Sequence, residues 1–213
     1  MLRRLAAGAT IVLACASAGF AQAPLTPPDT LVKDVTLEVV DLIAKDKDIQ
    51  AGDRRKVVAL IEGKVLPHFN FEAMTASAVG RHWTKATPAQ RVQLTEEFRT
   101  LLVRTYASSI AAYKDQKFDF RPLRTKPTDT DVTVQVRVMQ SGAQPVQIEY
   151  DMEKRPNGWK VWDVRVAGIS LVANYRTEFD LQVRDGGLDG LVKTLQTKNK
   201  ALDRPAVAGT EKR

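Results

Sequence analysis

Near Lys117 the hydrophobic repeat of this chain changes from about 3.6 residues to 2, the mark of a switch from helix to sheet. Few folds accommodate that change within one short chain. Downstream of it, Val132, Val134, Val136 and Val138 alternate with Thr133, Gln135 and Arg137. Val146, Ile148, Tyr150 and Met152 then alternate with Gln147, Glu149 and Asp151, after a turn containing Ser141-Gly142. A second turn, Arg155-Pro156-Asn157-Gly158, leads into a strand over 159–166. Three strands joined by tight turns form an antiparallel meander, and 118–123 supplies a fourth. The pattern predicts an α+β fold: helices, a curved antiparallel sheet of about four strands, then helices that return over its apolar face.

Upstream, Pro24-Leu25-Thr26-Pro27-Pro28 reads as an extended leader to a helix that Asp29 or Thr30 could cap. Leu31, Val32, Val35, Val39, Leu42 and Ile43 recur along it at helical spacing. A second helix over 53–65 carries Val57, Val58, Ile61 and Val65 and is closed by Pro67. A short third follows Asn70 and stops at Gly80. Thr87-Pro88-Ala89-Gln90 is a capping box with Pro at the first helical position. It opens the longest helix, to about Tyr113, whose stripe holds Val92, Phe98, Leu101, Leu102, Thr105, Tyr106, Ile110 and Tyr113. Beyond the sheet, Ser170 can cap a helix reaching Val183, and a last one follows Gly186-Gly187.

The first residues fall outside this scheme. Met1-Leu2-Arg3-Arg4 and the apolar run 5–18 end in Ala21-Gln22-Ala23, the layout of a secretory signal peptide over 1–23, cleaved after Ala23 or Ala21. The run falls short of the ~20 apolar residues of a membrane span. Cys15, the single cysteine, lies inside it, so the exported chain of 190 residues would carry none, at a net charge of +5 once Arg3 and Arg4 are gone. Lipidation at Cys15 is the competing reading, with Leu13 large for that site. The expected organisation is an exported protein with one domain over 24–202 and a flexible basic tail over 203–213. Charge spread along the chain speaks against nucleic-acid binding and allows attraction to anionic membranes or acidic partners.

With 2 His and 1 Cys, the chain cannot build a zinc finger, an iron–sulfur site or a multi-histidine metal centre. Gly168-Ile169-Ser170 lacks the second glycine of a nucleophile elbow, having Val172 there, and reads as a helix N-cap. His68 and His82 have no partner pattern. Glu149, Asp151 and Asp163 alternate out of the apolar face and read as solvated, while Glu178 and Asp180 should pair with Arg176 or Arg184. What remains is apolar surface arranged for enclosure, and both a packed core and a cavity for an apolar ligand fit it.

Several segments carry a resemblance over nearly the whole exported chain. They are Val65-Leu66-Pro67 with Phe69, the run Val79-Gly80-Arg81-His82-Trp83 through Ala86-Thr87-Pro88-Ala89-Gln90-Arg91, Phe98-Arg99 and Thr105-Tyr106. Further on come Trp159 through Asp163-Val164, Gly168-Ile169-Ser170-Leu171, Asn174-Tyr175-Arg176 with Phe179, and Gly187-Leu188-Asp189-Gly190-Leu191. In order and spacing these resemble the MlaC family, periplasmic phospholipid-binding components of the Mla system, also known as toluene-tolerance auxiliary proteins. The resemblance implies a hydrophobic cavity for phospholipid acyl chains, and no cofactor and no ATP site. It implies a shuttle between an outer-membrane lipoprotein complex and the MCE-domain protein of an inner-membrane ABC transporter, keeping the outer membrane asymmetric.

Periodicity picks the positions that would line such a cavity: Val134, Val136, Val138, Ile148, Tyr150 and Val164 from the sheet; Phe98, Leu102 and Tyr106 from the long helix; Leu171, Tyr175 and Phe179 from the later one. Asn174 and Arg176 could face a head group or anchor their helix. Two other classes stay open at this point: a small exported enzyme with a cone-shaped α+β pocket, and a protein-binding adaptor with a solid core.

Overall fold

The computed structural model describes residues 25–203 except Pro127, so the expected signal peptide and nearly all of the expected tail lie outside the described residues. Helix α1 (Pro28–Lys45) starts on Pro27 and Pro28 rather than on a side-chain cap. Asp29 sits in its first turn, where an acid suits the positive end of the helix dipole. An unforeseen short helix, α2 (Lys47–Gln50), follows, capped by Asp46 through the amides of Asp48 and Ile49. Helix α3 (Arg54–Leu60) is capped by Asp53 and widens into a π-helical turn at Ile61–Val65 and a 3-10 turn at Leu66–His68. The single helix expected over 53–65 therefore unwinds after Leu60. Pro67, which lacks an amide donor, lies in the tighter turn.

Helix α4 (Phe71–Val79) is capped by Asn70 and ends at Gly80, whose φ of 60° suits a residue without Cβ. Helix α5 (Pro88–Ala111) opens with the expected capping box: Thr87 Oγ1 accepts from the Gln90 amide, and the Gln90 side chain accepts from the Thr87 amide. Leu94, Phe98, Leu101 and Leu102 are buried on it, whereas Val92 falls off that face and is exposed.

The sheet is a meander in the order β1 (Lys117–Phe120), β2 (Asp131–Met139), β3 (Val146–Arg155), β4 (Gly158–Val166) and β5 (Ile169–Ser170), all pairs antiparallel. Ala167 (φ 49°) and Gly168 (φ 82°) turn the chain back into the fifth strand within two residues, as in the hairpin turns that need positive φ twice, and that strand is short because a helix begins at Leu171. Helix α6 (Leu171–Asp203) holds the two helices expected after the sheet, separated by a kink at Gly187 (φ 67°, ψ −174°). Among the described residues, no helix is long and apolar enough to cross a membrane.

Three apolar cores result. Met74, Leu94, Phe98, Phe179, Leu191 and Leu195 pack α4, α5 and α6 together. Val32, Val134, Val136, Met152, Trp159 and Val161 join α1 to the sheet. Val39, Ile43, Val57, Ile61, Val103 and Ala107 join the far end of α1 to α3 and α5. Helix α1 thus belongs to two cores, and so does α5.

Two acids expected in solvent are buried, Asp151 and Asp163, each at 6% exposure. A register shift between Asp151 and Met152 and the start of α6 are local features that strict alternation does not encode. Asp151 accepts from Thr133 Oγ1 (2.7 Å) and Arg165 Nη1. Arg165 Nε also donates to Glu149 (2.8 Å), and this guanidinium holds the Glu149 carboxyl below its ordinary range. Asp163 accepts from the amides of Val164 (2.8 Å) and Val172 (3.2 Å) and from Ser170 Oγ, while Ser170 Oγ caps α6 through the Ala173 amide (2.8 Å). One buried carboxylate therefore ties β4 to the first turn of α6. Replacing it with alanine leaves two amides unpaired, so Asp163→Ala should lower unfolding stability by about 2–3 kcal/mol, measured by urea denaturation.

Candidate functional site

Where the second and third cores approach each other they do not close. The inner face of the sheet and the facing side of α1 are built largely of short β-branched residues, and a cavity of about 360 Å³ remains between them. Helix α1 contributes Leu31, Val32, Val35, Thr36, Val39, Val40 and Ile43. Ser109, Ile110 and Tyr113 enter from the last turns of α5, and Val65, His68 and Phe69 from the turns after α3. The sheet supplies Phe118, Val138, Ile148, Tyr150, Met152 and Val161, with Gln116 and Gln140 beside its strand ends. Phe69 reaches this wall because it forms a parallel bridge with Val161 and the Asn70 amide donates to the Val161 carbonyl (2.8 Å).

Some of the polar groups in the wall are occupied locally. Thr36 Oγ1 donates to the Val32 carbonyl (2.7 Å), and the Tyr113 hydroxyl donates to the Gln116 carbonyl (3.4 Å). The Tyr113 and Phe118 rings stack at 6.0 Å. Burial pushes the Tyr150 phenol up to about 12, so it stays neutral. Burial, then the charge of Lys160, lowers His68 below its ordinary value, against an opposing pull from Glu38. The wall is therefore apolar and uncharged at neutral pH. It suits hydrocarbon, and it lacks the converging charges that reaction chemistry uses.

The sequence model of the MlaC protein family matches residues 33–197, a span that takes in nearly every residue of this wall. The chain belongs to the MlaC family. Its fold is shared with a phospholipid-binding protein from Ralstonia solanacearum, solved in complex with a phospholipid: 36% identity, a TM-score of 0.78, and coverage of 84% of this chain and 100% of that one. The intermembrane phospholipid transport system binding protein MlaC of Haemophilus influenzae is 22% identical over 179 residues, 78% of this chain and 84% of its own. The toluene tolerance protein ttg2D of Pseudomonas putida is 23% identical over 183 residues, 83% of this chain and 85% of its own.

Within this MlaC-family fold the twelve positions picked by periodicity divide. Val138, Ile148 and Tyr150 line the cavity. Val134, Val136 and Val164 point the same way but are sealed into the core between sheet and α1, with Leu171 half-buried against it. Phe98, Leu102 and Phe179 are buried in the helical core, with Tyr106 and Tyr175 packed on its flank. Phe98 meets the Tyr175 ring at 5.1 Å and the Phe179 ring at 5.2 Å, both edge-on, so large rings fill the space there. Arg176 anchors its helix, donating to the Ser77 carbonyl (3.0 Å) and Ser77 Oγ (2.9 Å). The wall contributed by α1 and the end of α5 was missed. Its signal was the breadth of the α1 stripe, two adjacent rows of small side chains rather than one of large ones.

Both histidines are now placed. His82 Nε2 lies 2.8 Å from Asp180 Oδ1, in a cluster with Arg81 and Arg184, and Asp180 is held below its ordinary range, most of all by His82. Glu178 pairs with Lys198 instead of an arginine. His68 is the titratable group in the cavity wall with a resolved shift at acid pH. Because its folded value is depressed, the unfolded chain binds the extra proton first, and the stabilising contribution present at neutral pH is lost as pH falls through about 6.5. An NMR titration of His68 should give a midpoint below that of a free histidine, and His68→Gln should lose less stability than the parent between neutral pH and pH 5.

Proposed function

We propose that this chain is the periplasmic phospholipid carrier of an Mla-type transport system, with its acyl-chain site in the cavity between the sheet, α1 and the end of α5. The observation that carries this reading is the apolar cavity itself, found in a fold that a relative at 36% identity uses in complex with a phospholipid. Two acyl chains hold roughly 30 methylenes, and at about 0.8 kcal/mol each their exposure to water costs on the order of 24 kcal/mol. A carrier must cover almost all of that surface. A bilayer covers it equally well, so transfer between membrane and protein lies near balance, and direction comes from the docking partners.

In this reading residues 1–23 are the export signal, 24–202 form the lipid-binding domain, and 203–213 are a basic tail. The partners are an inner-membrane complex presenting an MCE-domain protein and an outer-membrane lipoprotein complex. Carriage between them would sustain outer-membrane asymmetry. The partly open cavity counts against an adaptor with a solid core. The pairs His82–Asp180 and Ser170–Asp163 both lie outside the cavity lining, which counts against a small exported enzyme working in that pocket.

Native mass spectrometry of the protein purified from the periplasm should show phospholipid bound in stoichiometric amount. Val138→Glu with Ile148→Glu places two carboxylates in the cavity wall at half-buried positions, and should abolish copurification while leaving the circular dichroism spectrum unchanged. A protein that emerges lipid-free and takes up no added phospholipid would overturn the assignment.

A further inference from the structure

Histidine occurs twice in the chain, and one of the two stands in the cavity wall. His68 ends the 3-10 turn Leu66–His68, flanked by Val65 and Phe69, which line the cavity beside it. That turn is held by β4: Lys160 Nζ donates to the Pro67 carbonyl (2.6 Å), and Phe69 is bridged to Val161. The ring is therefore carried on fixed backbone, at a half-buried position. Neither of its nitrogens has a hydrogen-bond partner among the described residues. Burial opposes its protonation most, Lys160 on β4 opposes it further, and Glu38 on α1 favours it. Glu38 is already paired with Lys64 (2.5 Å). The phenols of Tyr113 and Tyr150 are the other ionisable groups of the wall, and among the described residues that line the cavity there is no carboxylate to hold an imidazolium.

What fills the cavity decides the surroundings of that ring. A water-sized group needs roughly 10–15 Å³ of cavity space, so about 360 Å³ has room for roughly 30 methylenes. A loaded cavity is thus hydrocarbon throughout, and hydrocarbon laid over His68 takes water away from a ring that has no protein partner to replace it. The charged form of an imidazole is the one that this disfavours. We propose that lipid and proton compete through His68: an acyl chain laid over the ring displaces its proton, and a protonated ring displaces the acyl chain. The proposal rests on the carrier reading, since it concerns the regulation of that same site. As pH falls, the empty protein takes up the proton before the loaded one does, and by linkage each proton so bound favours the empty state. One such group changes affinity by at most about tenfold per pH unit. Acid therefore unloads the carrier, in a graded way.

Phosphatidylglycerol is a suitable probe, because its phosphate keeps its charge between neutral pH and pH 5. Uptake from phosphatidylglycerol vesicles at constant ionic strength should weaken about fivefold or more over that range in the parent. His68→Gln, polar and without a titrating ring, should weaken less than about twofold, and His82→Gln, outside the cavity lining, should keep the dependence of the parent. An NMR titration adds a readout that a merely structural role would not move: the His68 midpoint should lie lower in the lipid-loaded protein than in the delipidated one. Equal midpoints, or a parent and His68→Gln that weaken alike, would overturn the proposal. A higher midpoint in the loaded protein would overturn it too, by placing the lipid phosphate rather than the tails against His68. A parent that takes up no lipid at any pH removes the carrier reading itself, an outcome distinct from these.

Discussion

Side-chain length decides where this protein is solid and where it is hollow. Between α4, α5 and the first half of α6, phenylalanine and leucine side chains span the gap, and Phe98 and Phe179 are buried. Across the gap between α1 and the sheet, α1 presents mostly valine (Val32, Val35, Val39 and Val40), and valine cannot reach the opposite layer. Backbone elements cannot settle inward to compensate, because α1 is held at one end by the sheet core and at the other by α3 and α5. A close-packed interior is the default for a domain of this size, so a gap kept open by two solid cores is a property of the whole arrangement. The cores meet the cost of the cavity, and a filled cavity would restore the dispersion contacts that its lining lacks.

The polar chemistry is kept on the opposite side of the sheet. Asp151, Glu149 and Arg165 form a ladder on the outer face, joined by Thr133 and the side-chain amides of Gln135 and Gln147. Asp163 extends it to the start of α6. These groups sit where the strand register shifts, and they stiffen that point without placing charge against the apolar side. A rigid outer face and a plain hydrocarbon inner face are thus made from the same strands by simple alternation.

That alternation is also why much of the fold could be read from the sequence. The capping box at Thr87, the stop at Gly80, the valine ladder of β2 and the Ser170 cap each encode structure locally, and each is where the sequence places it. Periodicity tells which face of an element turns inward, and Val134 and Val138 do share a face. It does not tell how far away the opposing layer stands. Val134 is therefore sealed while Val138 borders empty space, and Phe98 and Tyr106 lie at the packed stretch of α5 rather than at its cavity end. The burial of Asp151 and Asp163 was illegible for a related reason: alternation does not say that Asp151 meets Thr133 and Arg165 on the neighbouring strands, or that Asp163 meets the first turn of α6.

Helix α5 spans 24 residues, about 36 Å at 1.5 Å per residue. Its first half is locked in the helical core and its last turns form part of the cavity wall. In mechanical terms it is a lever with a clamped end, and a tilt of about 5° at the clamp would sweep the free half, roughly 18 Å long, through only about 1.6 Å at its tip. The other end of the same rod, at Gln90, is hydrogen-bonded to Asp189 just beyond the kink in α6. The cavity wall and the contact beyond the kink of α6 thus lie at opposite ends of one helix.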